Sequence, residues 1–117
     1  MDFDRFTTVL LVLRSDRPEL TEEEQAVLQD AHLAYLSKLH DDGFLLAAGP
    51  LLGEPGETFR GLSVFAVDAD RARELAEADP AVRGGKFGVK ILPWLVPQGA
   101  IAATRIRFPA SAAEAGG

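Results

Sequence analysis

The sequence predicts an α+β domain, an antiparallel sheet with two helices on one of its faces. Three observations carry this. Short apolar runs and helical periods follow one another in the order strand, helix, strand, strand, helix, strand. Each helical segment has a cap residue at its start and a glycine or proline at its end. The 117 residues, 47% hydrophobic and 26% charged, suit a single compact domain with a real core.

Phe6 to Leu13, FTTVLLVL, is a strand whose two alternating sets are both mostly apolar, so both of its faces are expected to be covered. RSDRPEL turns away from the sheet, with Pro18 as the breaker. Thr21 and Glu24 make a T-x-x-E capping box, and Glu22 and Glu23 add negative charge at the positive end of the helix. That helix runs to about His40, and Gly43 supplies a left-handed C-cap. Leu28, His32, Tyr35 and Leu39 share one helical face, so a histidine points toward the core.

Phe44 to Gly49, FLLAAG, is a central strand, and Pro50 to Arg60 is a long connection of the kind that is more often functional than idle. Gly61 to Val67 is the third strand. Asp68 caps a second helix over Ala69 to Ala78, whose stripe of Ala72, Leu75 and Ala76 continues onto Asp79 before Pro80 stops it. After a turn around Gly84-Gly85, Lys86 to Leu92 is the fourth strand, closed by Pro93 and Trp94. Ile101 to Phe108 alternates weakly, as an added edge strand would. The domain therefore spans 1–108 with 94–108 as a C-terminal extension, and 109–117 is expected to be a disordered tail.

This order is the split βαβ arrangement of ferredoxin-like domains, with both helices on one face. The first and third strands are apolar on both sides. The face that the helices leave bare is therefore expected to pack on a second copy of the chain, giving a homodimer with sheets face to face.

Composition narrows the function classes. A net charge of −6 argues against nucleic-acid partners and against an anionic membrane surface. The absence of cysteine removes a disulfide scaffold, a thiolate nucleophile and a zinc-thiolate site. The opening MDFDRF lacks the basic start of a secretory signal, and no apolar run approaches the roughly 20 residues of a spanning helix, so a cytoplasmic location is expected. No phosphate loop, dinucleotide fingerprint or G-x-S-x-G elbow occurs, so no cofactor is expected.

His32 and Asp79 are each the polar interruption of a buried stripe, and the fold sets those stripes side by side. A carboxylate bonded to one imidazole nitrogen fixes the tautomer and leaves the other nitrogen free as acid or base. The competing reading is a core histidine bonded to a backbone carbonyl, with Asp79 capping a turn. His32 and His40 are too far apart for an i, i+4 chelate, and His40 with Asp41 and Asp42 belongs to an exposed terminus, so no metal site is expected. The candidate substrate contacts are Tyr35 as a phenolic donor, Gly49 and Pro50 as close-approaching backbone, Arg60 as a cation, and Trp94 as a pocket wall or cross-dimer packer.

The segments HLAYLSKLHDDG with His32, FLLAAGP with Gly49 and Pro50, ELAEADP with Asp79 and Pro80, and ILPW with Trp94 together resemble the YciI-like (YCII-related) family over roughly Phe6 to Trp94. The resemblance implies a ferredoxin-like dimer of the dimeric α+β barrel superfamily. It also implies that His32 and Asp79 match the family's proposed catalytic pair. Where an activity is assigned in that family, it is cofactor-free elimination on a chlorinated hydroxyquinol, and the superfamily includes lactone isomerases and oxygenases that need no cofactor. The expected function is thus a cofactor-free lyase or isomerase acting on a small aromatic or lactone-like molecule. The alternative is a non-catalytic dimer that binds a metabolite or partner.

Overall fold

The computed structural model describes residues 1–116, so Gly117, the last residue of the expected disordered tail, lies outside the described residues. Its elements are β1 (Phe3–Leu13), α1 (Glu22–Asp41), β2 (Leu45–Pro50), β3 (Phe59–Phe65), α2 (Ala69–Glu77), α3 (Pro80–Arg83) and β4 (Phe87–Pro97). The sheet order is β2-β3-β1-β4, and every adjacent pair is antiparallel, which is the ferredoxin-like α+β arrangement.

Local chemistry explains the helix boundaries. The Thr21 hydroxyl accepts from the Glu24 N–H at 3.1 Å while Glu24 accepts from the Thr21 N–H at 3.1 Å, satisfying two N–H groups that an α-helix leaves without partners. At the other end Gly43 has φ +86°, which lets its own N–H reach the His40 carbonyl and the Phe44 N–H reach the Leu39 carbonyl. Pro80 does end α2, yet it also begins α3, because a proline at the first helical position loses no useful donor.

Strand alternation divides the sheet. Thr7, Val9 and Leu11 of β1 stand opposite Phe65, Ser63 and Gly61 of β3 and face the helices. Val9, Leu45 and Phe65 form the main core with Leu39 of α1 and with Ala72, Leu75 and Ala76 of α2. The other face carries Leu62, Leu92 and Trp94, all exposed, with Trp94 tilted against Phe6 at a ring separation of 6.4 Å. Among the described residues no helix is long and apolar enough to cross a membrane.

Four expectations are corrected. β2 is not a central strand: the order of the sheet puts it at the edge, paired with β3 alone. Pro93 and Trp94 do not close the fourth strand, which runs on to Pro97 opposite Phe3; β4 is an edge strand, where a missing N–H is tolerated. Residues 101–108 form no edge strand, because the Ile106 N–H and the Phe108 carbonyl turn to His40 and Ser37 of α1 rather than to the sheet. Residues 109–116 are not loose either: Ala112 N–H donates to Asp30 Oδ1 at 2.9 Å, and Arg107 pairs with Glu114 at 2.6 Å.

Leu45 is 1% exposed at the centre of the core, and Leu52 is 97% exposed in the β2–β3 connection. Leu45→Ala is therefore expected to cost about 2–5 kcal/mol of unfolding free energy through the cavity it leaves. Leu52→Ala should stay within about 0.5 kcal/mol of the parent, and urea denaturation of both variants checks the contrast.

Candidate active site

The centre of the site is a hydrogen bond between two helical elements. Nδ1 of His32, on α1, lies 2.7 Å from Oδ2 of Asp79, and both residues are buried. The second oxygen of Asp79, Oδ1, accepts from the Ala81 N–H at 2.9 Å and so caps α3. The two readings of Asp79 left open by the sequence are therefore both true, one for each oxygen. His32 is not the alternative carbonyl-bonded core histidine. An ionised carboxylate can only accept, so Nδ1 carries the proton that is shared with Asp79. Nε2 has no hydrogen-bond partner among the described residues, and the ring lines a cavity.

A second rung lies one helical turn further along α1. The Tyr35 hydroxyl donates to the Leu75 carbonyl at 2.7 Å. That carbonyl stands at the end of α2, where the Asp79 N–H bonds Ala76 instead, so the phenol fills an acceptor that the helix leaves open. Tyr35 thus ties the end of α2 to α1 four residues before Asp79, and it does not line the cavity. Burial, and after it the negative charge of Asp79, hold the phenol above its ordinary value of 10.0, against the opposing charge of Arg71.

The cavity beside His32 has a volume of about 540 Å³, within the usual range for small-molecule sites. Its walls come from Leu33 and Leu36 of α1, from the β2–β3 side of the sheet, and from the C-terminal segment. Of the expected contacts, His32, Gly49, Pro50 and Arg60 meet here, while Tyr35, Trp94 and Asp79 do not line it. Arg60 is exposed, with Nε bonded to the Glu57 carbonyl at 3.0 Å, so it stands at the rim. Trp94 lies on the open face of the sheet. Of the β2–β3 connection only the two ends, Pro50 and Arg60, reach the cavity.

The sequence reading missed Ser63, which is buried on the helix-facing side of β3, lines the cavity and has no hydrogen-bond partner among the described residues. Alternation held a signal for it, since a serine between Gly61 and Phe65 is the one hydroxyl on that side of β3. The reading also misplaced His40. It is 3% exposed, not at an open terminus: Nδ1 donates to the Leu45 carbonyl at 2.7 Å, and Nε2 accepts from the Ile106 N–H at 3.2 Å. The chain reversal at Gly43 brings Leu45 back over it. Among the described residues no three potential metal ligands converge.

The fold favours the protonated phenol of Tyr35, so that part of the stability is complete below the unfolded value and is lost as pH rises through the higher folded one. Tyr35→Phe is expected to cost about 1 kcal/mol at neutral pH, for the bond to Leu75. It should also show a smaller loss of stability between neutral pH and about pH 11, measured by urea denaturation at both.

Comparison with known proteins identifies the family and the fold. Proteins named Protein YciI from Escherichia coli O6:H1 (strain CFT073) and from Shigella flexneri are each 39% identical to the chain over 72 residues, covering 56% of this chain and 74% of the relative. Among solved structures, the 5-chloro-2-hydroxyhydroquinone dehydrochlorinase (TftG) from Burkholderia phenoliruptrix AC1100, in complex with 2,5-dihydroxybenzoquinone, shares the fold with a TM-score of 0.56. Its identity is 20%, over 76% of this chain and 92% of that one. The profile of the YCII-related domain matches residues 8–95, most of the chain, and the protein therefore belongs to the YCII-related family.

Proposed function

We propose that the protein is a small-molecule enzyme, a cofactor-free lyase or isomerase in which His32 and Asp79 form the acid/base pair. The observation that carries this reading is the 2.7 Å contact between Nδ1 and Asp79, which leaves Nε2 as the unpartnered nitrogen of a ring on the wall of a largely apolar cavity. A neutral imidazole held this way is a base at Nε2, and after taking a proton its positive charge is balanced by the adjacent carboxylate.

The substrate that suits these surroundings is a small aromatic or lactone-like molecule bearing an acidic hydroxyl. For a halogenated hydroquinone, Nε2 removes the hydroxyl proton next to the C–X bond and the imidazolium returns it to the carbon that bears X, giving the keto tautomer. Nε2 then takes the second hydroxyl's proton, the second carbonyl forms, and its electron pair shifts through the ring double bond as X⁻ departs. The product is the corresponding quinone-like carbonyl compound together with HX, so atoms and electrons balance within the substrate. An isomerase uses the same base and returns the proton elsewhere. The shared fold with a dehydrochlorinase of a chlorinated hydroxyhydroquinone supports this class. Ser63 supplies a hydroxyl to orient the substrate oxygen, and Arg60 attracts an anionic one at the rim.

The working unit is a homodimer. The bare face of the sheet carries Leu62, Leu92 and Trp94, and a second copy of the same face would bury them. Light scattering at micromolar concentration should give twice the 12.6 kDa chain mass, and a monomer would argue against the pairing.

Turnover of halogenated hydroquinones, followed by ultraviolet absorbance and halide release, tests the reaction. His32→Ala should lower kcat/KM by about 10²–10⁴-fold with the dimer intact. Asp79→Asn, whose amide can present a donor to Nδ1 and so reverse the tautomer, should lower kcat with a smaller change in KM. Undiminished turnover in His32→Ala would remove the base from the mechanism, and ligand binding without turnover in the parent would identify a binding protein.

A further inference from the structure

The family domain ends at residue 95, and the chain beyond it does something the domain alone does not. After β4 the chain runs back along α1. Arg105 reaches the Asp41 carbonyl at 2.9 Å, Ile106 meets His40, the Ser37 hydroxyl approaches the Phe108 carbonyl at 3.5 Å, and Ala112 reaches Asp30. Ile106, Phe108, Pro109 and Ala112 of this strap line the cavity opposite the sheet.

We propose that residues 101–116 are the outer wall of the substrate cavity, that Phe108 sets its preference for aromatic rings, and that His40 is the positioning residue that latches this wall to α1. The proposal deepens the functional reading above and rests on it. Phe108 is the aromatic side chain of the strap, and its ring stacks on the His40 imidazole with centroids 4.0 Å apart and planes 12° from parallel. The imidazole is itself fixed by the Leu45 carbonyl on one side and the Ile106 N–H on the other, so its orientation dictates where the strap sits. With Leu11, Leu33 and Leu36 the strap makes the cavity apolar on several sides, and the polar side chains of the wall are Gln29, His32, Ser63 and, at the rim, Arg60. A flat ring with a hydroxyl fits that division, because ring contact with Phe108 adds to simple area burial.

The test uses 2-naphthol and its saturated counterpart 2-decalol, titrated into the full-length 15N-labelled chain. The expected result is that 2-naphthol shifts the amides of His32 and Ser63 and also those of Ile106 and Ala112, and that it binds more tightly than 2-decalol. Phe108→Leu, which keeps an apolar side chain without the ring, should erase that preference, and Phe108→Ala should weaken 2-naphthol about tenfold. His40→Leu should speed hydrogen exchange at the Ile106 amide and weaken 2-naphthol as well, whereas His32→Ala should leave that exchange unchanged. Shifts at His32 and Ser63 with still strap amides and unaltered affinity in both Phe108 variants would overturn the strap assignment while the proposed site stands. Shifts at none of the four would remove the site reading and this proposal together.

Discussion

The bond between His32 and Asp79 is the constraint around which the helical layer is arranged. Burying a carboxylate and an imidazole is costly unless each finds a partner, and here the partner of each is the other. The geometry demands that α1 and the short link between α2 and α3 lie side by side at a fixed offset. Tyr35 and the Leu75 carbonyl repeat the demand one turn along, so the two elements are clasped at two heights and cannot slide or roll independently. Apolar packing of Leu39, Ala72 and Leu75 between helices and sheet supplies the bulk of the favourable energy, but it is non-directional. The polar rungs choose which of the well-packed arrangements is adopted.

His40 does for the C-terminal segment what Asp79 does for His32. Its two nitrogens are assigned opposite roles by their partners, one donating to a carbonyl and one accepting from an N–H, and this matches the neutral ring. Two histidines on one helix thus serve different ends. The ring at position 32 keeps one nitrogen open, whereas the ring at position 40 is saturated and structural.

Much of this was legible in the sequence, and the parts that were not have physical reasons. Helical periodicity put His32 and Asp79 on facing stripes because that pattern reports directly which side chains point inward. The capping box at Thr21 and the left-handed Gly43 were readable because each depends on a few adjacent residues. His40 was not, because its burial is created by a strand that begins five residues later and by a tail that arrives from residue 106. The tail itself has weak local preferences and few large apolar side chains, and it is held to α1 by single long-range bonds that no window of sequence contains. Pro93 misled for a related reason: a proline breaks a strand only if both of its neighbours are strands, and position in the sheet is a property of the whole fold.

The divided carboxyl of Asp79 ties two events that are usually separate. One oxygen starts the single turn of residues 80–83 and the other steers the imidazole, so fraying of that turn would free the ring to rotate. The orientation of the His32 ring is therefore coupled to the melting of one short stretch of backbone. Local opening of this turn, a smaller event than global unfolding, is enough to release the ring.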